Sequence, residues 1–244
     1  MRLNLDATID CIFQTLFAIE QNKNLLVSLL NSILAPEPDQ RIVNVTLINP
    51  FNPRKYQSDK LSIVDVKATD QRGITYQIEI QIAAYPSLLA RMLYGWSVLF
   101  SSQLKKSQDY NALQPVVCIW LMVGSLFDEK GEYHYHFEVF DRQHQKVLND
   151  QFGLHVIQLS EWNKGTVENE LDRWIRFFRD SKDLDTRALP PYMKTKEMRQ
   201  AVSTLKHFAM REENIQLYNS RLSKRREELT LLADSKALKV AKAR

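Results

Sequence analysis

Asp65 and Glu79 stand in SDKLSIVDVKATDQRGITYQIEIQ, two strand-like runs joined by the turn Asp70-Gln71-Arg72-Gly73. Glycine as the third residue of a three-residue loop suits the left-handed position of a bulged hairpin. With residues 71 to 73 as that loop, Asp70 pairs with Ile74, paired numbers sum to 144, and Asp65 falls opposite Glu79. A two-residue loop would turn Asp65 toward the apolar side, where an unpaired carboxylate costs several kcal/mol. Cβ atoms at opposed positions lie ~4.5–5.5 Å apart, so Asp65, Glu79 and, two residues on, Gln81 converge on a spot wide enough for one cation. Two carboxylates that close repel unless a positive charge sits between them. Mg²⁺ suits the site, with Mn²⁺ as a substitute, because it prefers oxygen ligands and retains waters that can attack a phosphodiester.

Taken alone, the same pair also fits a solvated sheet face on which Lys67 offsets the repulsion. Lys67 lies two residues beyond Asp65 on one strand, and therefore on the same face. In a catalytic reading it would supply positive charge to the site.

The elements that must position these residues are legible from periodicity. Ile9, Ile12, Phe13, Leu16 and Phe17, then Leu25, Leu26, Leu29, Leu30, Ile33 and Leu34, recur at helical spacing until Pro36 and Pro38. Strand-like runs follow around Val43 to Ile48 and Leu61 to Ala68, separated by the loop NPFNPRKYQSDK. In ITYQIEIQI the residues alternate strictly, with Ile74, Tyr76, Ile78, Ile80 and Ile82 on one face and Thr75, Gln77, Glu79 and Gln81 on the other. Residues 87 to 106 predict a helix with Leu88, Leu89, Met92, Leu93, Trp96 and Leu99 as its apolar stripe. PVVCIWLMV predicts a strand buried on both faces, in the middle of a sheet covered by helices. Further strands are expected in YHYHFEVF and from His155 to Leu159, then a helix bearing Leu171, Trp174, Ile175 and Phe178. Pro190 and Pro191 mark a boundary between residues 1–190 and a basic helical segment, 191–244.

This order of elements resembles the PD-(D/E)xK superfamily, in particular its recombination-promoting nucleases and transposases. The resemblance runs over residues 7 to 125: the helix DCIFQTLFA, the Asp65 hairpin with its ExQ at Glu79 to Gln81, the helix with Arg91, Leu93 and Tyr94, and QDYNALQPVVCIWLM. It implies an α/β, restriction-endonuclease-like mixed sheet flanked by helices, with a C-terminal helical tail. It also implies metal bound by Asp65, Glu79 and the main-chain carbonyl of Ile80, with Asp10 at an acidic position that reaches the same site. Three positions depart from the family pattern. Gln81 stands where most of the superfamily carries lysine, Gln14 where lysine is preferred, and Ser107 near the place of a glycine before the DY pair.

Composition sets the remaining bounds. The chain has 244 residues, 44% apolar and 25% charged, enough for one sizeable core. Asp6 and Asp10 interrupt the start where a secretory signal needs an apolar run, and no later stretch approaches the ~20 residues of a membrane span, so a cytoplasmic protein is expected. Cys11 and Cys118 lie in apolar contexts and read as buried thiols. From Lys194 to Arg244 there are 13 Lys and Arg against 6 Asp and Glu, a net +7, which leaves 20 against 23 for residues 1 to 193. The tail is basic enough to attach to nucleic acid and periodic enough to pack against a partner helix. Arg91 and Lys105 are candidate contacts to backbone phosphate. Trp120, Trp162 and Trp174 read as core, and His134 and His136 as a solvated strand face.

Together these readings predict a Mg²⁺-dependent deoxyribonuclease acting on DNA in recombination or transposition. Catalysis would rest on Asp65, Glu79, Gln81 and Lys67, and a homodimer would fit cutting of both strands. The alternative is a catalytically silent nuclease fold that binds DNA or protein.

Overall fold

The computed structural model describes residues 2–48 and 65–242, with side chains described to residue 234. The predicted loop at 49–60 and the first part of the strand-like run, 61–64, lie outside the described residues. The two opening helices are α1 (Asp10–Phe17) and α2 (Lys23–Leu34), followed by β1 (Val45–Leu47), β2 (Val66–Asp70) and β3 (Thr75–Gln81). Then come α3 (Leu88–Ser102), β4 (Val116–Met122), β5 (His134–Phe137), β6 (Phe140–Asp141), β7 (Lys146–Val147) and β8 (Phe152–Gln158). Three helices close the chain: α4 (Glu170–Asp180), α5 (Lys196–Ala209) and α6 (Glu212–Lys242).

Six strands form one mixed sheet in the order β1-β2-β3-β4-β8-β5. The β3, β4 and β8 strands run parallel at its centre, and β1, β2 and β5 join antiparallel at the two sides. On one face Tyr76, Ile78, Ile119, Leu121 and Ile157 pack against the apolar sides of α1, α2, α4 and α5 in a single core. Residues on both sides of Pro190 share that core, since Met198, Val202 and Leu205 belong to it together with Phe13 and Phe17.

The hairpin has the predicted register. Val66 pairs with Ile78, Lys67 with Gln77 and Thr69 with Thr75, each pair summing to 144. Gly73 adopts φ +87°, the left-handed conformation that the turn demands. The buried Asp70 carboxylate then ties the turn together. It accepts the N–H groups of Arg72 and Ile74 at 2.9 and 3.1 Å, the Arg72 guanidinium at 2.8 Å, and the Tyr76 hydroxyl at 3.0 Å.

The structure corrects the stripe of α3 and sharpens three other readings. Of the two readings of the polar face of β3, the solvated one does not hold, because α3 lies across it; Leu88, Met92 and Leu99 pack over Val116, Cys118, Trp120, Met122, Leu154 and Val156. The stripe of α3 that packs is Leu88, Met92, Gly95, Trp96 and Leu99, while Leu89 and Leu93 are exposed. The C-terminal segment is helical as expected, in two helices broken between Ala209 and Glu212. His134 and His136 meet a third histidine from β8: His134 Nε2 lies 3.0 Å from His155 Nδ1, and the His136 ring stacks on His155 at 4.1 Å. Burial and the neighbouring imidazoles push the His155 pKa down to about 3.

Candidate active site

Asp65 precedes β2 by one residue and occupies the register position opposite Glu79. Its Oδ2 accepts the Ile80 N–H at 2.9 Å, and its Oδ1 accepts Gln14 Nε2 at 3.4 Å from α1. The strand that carries Glu79 thus also holds its partner carboxylate in place. Glu79 is only 5% exposed. It accepts Gln77 Nε2 at 2.9 Å through Oε1, and Arg91 Nη2 lies 3.4 Å from its Oε2. Arg91 comes from the first turn of α3, donates to the Tyr85 hydroxyl at 3.0 Å, and lies over the Trp120 ring at 5.3 Å.

Burial raises the Glu79 pKa to about 8, reinforced by the charge on Asp65 and opposed by Arg91. Asp65 rises to about 6, mainly through burial and partly through Asp10, against the hydrogen bond from Ile80. Two carboxylates that both resist ionisation, side by side, are stabilised by positive charge brought close to them.

They open onto a cleft of about 440 Å³. Asp10, Gln14, Gln81 and Arg91 also line it, and so does one side of α6, through Arg221, Lys224 and Arg225. Asp10 faces the cleft, but its carboxylate accepts the Cys11 N–H at 2.7 Å and pairs with Arg221 at 3.4 Å. Gln81 also lines the cleft, with its amide nitrogen 3.2 Å from the Ala83 carbonyl.

A family model described as PD-(D/E)XK nuclease family transposase matches residues 7–235. The chain belongs to that family. Its sheet and flanking helices are the family's restriction-endonuclease-like α/β fold, closed by a C-terminal helix. PD-(D/E)XK nucleases use divalent metal ions, and a nuclease or transposase-related role on DNA follows from membership. No curated protein and no solved structure matches the chain. No described helix is long and apolar enough to cross a membrane.

The donor set fits a hard cation: two carboxylates that cannot satisfy each other, plus the Ile80 carbonyl on the same strand. Among the described residues no three His, Cys, Asp or Glu side chains are placed to hold a metal ion together, so such an ion would complete its shell with water. Lys67 pairs with Gln77 across the ladder but is not among the cleft residues, and partial burial lowers its pKa. Among the described residues, the cation that reaches Glu79 is Arg91. Lys105 is exposed, three residues beyond the far end of α3 from Arg91, and does not line the cleft. Sequence reasoning missed Gln77 and the α6 cations. The spacing of 221, 224 and 225 did mark one helix side, but nothing in it said that this side returns to α1.

Proposed function

We propose that the chain is a divalent-metal-dependent DNA endonuclease that hydrolyses phosphodiester bonds in recombination or transposition. The observation that carries this reading is the Asp65 and Glu79 pair, held at one wall of an open cleft by Ile80, Gln77 and Arg91. Asp65, Glu79 and the Ile80 carbonyl would hold Mg²⁺ or Mn²⁺. When bound, the ion neutralises phosphate charge and acidifies water for attack.

The chain's own residues supply the rest. Arg91 stays protonated and fixed, so it stabilises charge developing on the phosphate and cannot act as a base. This places on α3 the positive charge that most of the superfamily carries at the position of Gln81. Gln81, neutral and able both to donate and accept, orients the attacking water or a phosphate oxygen.

Cleavage of supercoiled plasmid with Mg²⁺ or Mn²⁺ tests the proposal. Nicking by the wild type, abolished by EDTA and in Asp65→Ala and Glu79→Ala, is the expected result. A folded wild type that cuts with neither metal would overturn it.

A further inference from the structure

The side of α6 that lines the cleft presents Arg221, Lys224, Arg225 and Glu228. These positions are spaced i, i+3, i+4 and i+7, which puts them on one side of the helix. Arg225 is the anchor. Its side chain is 13% exposed, and Nη1 donates to Thr8 Oγ1 at 2.7 Å and to Asp6 Oδ2 at 3.2 Å. One to three turns earlier, Tyr218 accepts the Asp6 N–H at 3.1 Å, and Leu222 and Ile215 pack against the main core. The helix is therefore fixed against the start of α1 at the level of the carboxylates.

The other two cations are available. Arg221 is 44% exposed and its pair with Asp10 is long, the kind of ion pair worth little in water. Lys224 is exposed and makes no ion pair among the described residues. Glu228 is the acidic member of the set, one turn beyond Lys224.

A strand entering this cleft toward Asp65 and Glu79 passes between β3 and this side of α6. Residues 1 to 193 carry net negative charge, so the cations that draw a polyanion here come from the tail. We propose that α6 forms the DNA-binding wall of the cleft, with Arg221 and Lys224 contacting backbone phosphates and Arg225 acting as a positioning residue. This rests on the nuclease reading and gives it a substrate-binding surface.

The test is fluorescence anisotropy of a labelled duplex DNA with the full chain in EDTA, where binding is read without cleavage, over a series of NaCl concentrations. Arg221→Gln and Lys224→Gln are each expected to weaken binding roughly three- to tenfold and to reduce the slope of log K against log salt by about one, with the losses combining in the double variant. Arg226→Gln, on the same helix but off this side, serves as control and should bind as wild type. Circular dichroism confirms that each variant is folded. Unchanged affinity and slope in the double variant, or no duplex binding by the wild type, would overturn the proposal. If binding falls as expected but no metal supports cleavage, the wall stands and the nuclease reading fails. If cleavage is intact and the double variant binds normally, the nuclease reading stands and the wall fails.

Discussion

Gln77 Nε2 donates to Glu79 Oε1 at 2.9 Å from two residues away on the same strand, beneath Gly95 of α3. A Cβ on Gly95 would sit 3.4 Å from that amide nitrogen, in ordinary van der Waals contact, so α3 packs directly over the pair. Buried groups that hold a metal ligand in place are typically worth ~10–100-fold in metal affinity. Gln77→Leu should weaken Mg²⁺ binding to that degree, measured by calorimetric titration. Affinity equal to wild type would show that Arg91 and packing alone fix the Glu79 carboxylate.

Arg91 and Lys67 make opposite predictions. Arg91 contacts Glu79 and lines the cleft, whereas Lys67 does neither. Arg91→Met should lower the cleavage rate by ~10²–10³, the usual effect of losing one fixed donor to transition-state charge. Lys67→Met should stay within a few-fold of wild type. A large loss in Lys67→Met with near-normal Arg91→Met would reverse the assignment.

The hairpin was legible because two independent signals agreed. Strict alternation in 74–82 set the faces, and Gly73 set the loop length, so Asp65 could be placed opposite Glu79 without knowing the rest of the fold. What covers those faces was not legible. Amphipathic spacing shows that α3 has an apolar side but not which sheet face receives it. Gln77 could be placed on the face of Glu79, but its burial, at 1% exposed, could not be read. The α6 cations meet α1 and the residues leading into it across separations as large as 219 residues, for which no local pattern exists. His155 joined His134 and His136 for a similar reason: strand pairing of β5 with β8 brings them together, not sequence spacing.

The raised pKa of Glu79 gives a sign to the stability of the metal-free protein. A group whose folded pKa lies above its unfolded value contributes stability that is fully present below the unfolded pKa and is lost as pH rises through the folded one. For Glu79 that window runs from 4.5 up to about 8, and Asp65, raised to about 6, adds to its lower part. In EDTA the melting temperature should therefore fall from pH 5 to pH 9, and Glu79→Gln should flatten the fall and melt several degrees higher than wild type at pH 8.5. Each unit of pKa difference is ~1.4 kcal/mol, and ~1 kcal/mol moves the melting temperature by about 2–4 °C in a chain of this size. Mg²⁺ should act in the opposite sense, stabilising wild type more as pH rises, because it binds the ionised carboxylates. A Glu79→Gln profile parallel to wild type in EDTA would show that the carboxylate is not desolvated in solution.

Ser107 adopts φ +74°, in the left-handed region, at the position near which the family resemblance places a glycine. It lies in the turn between α3 and β4, where the Gln108 N–H donates to the Lys105 carbonyl at 3.2 Å and the Gln108 side chain accepts the Lys105 N–H at 2.6 Å. The turn imposes this backbone conformation, and a residue with a Cβ adopts it at a cost of about 1–2 kcal/mol relative to the right-handed form. The Ser107 side chain is exposed, so removing it forfeits little packing. Glycine also enlarges the freedom of the unfolded chain, which offsets part of the gain. Ser107→Gly should therefore stabilise the protein by about 0.5–1 kcal/mol in urea unfolding with an unchanged slope, and leave DNA binding as in wild type. Ser107→Ala, which keeps the Cβ, should show no such gain. If both substitutions lower stability, the serine hydroxyl holds the turn, and the conformation follows from that contact and not from the path of the backbone.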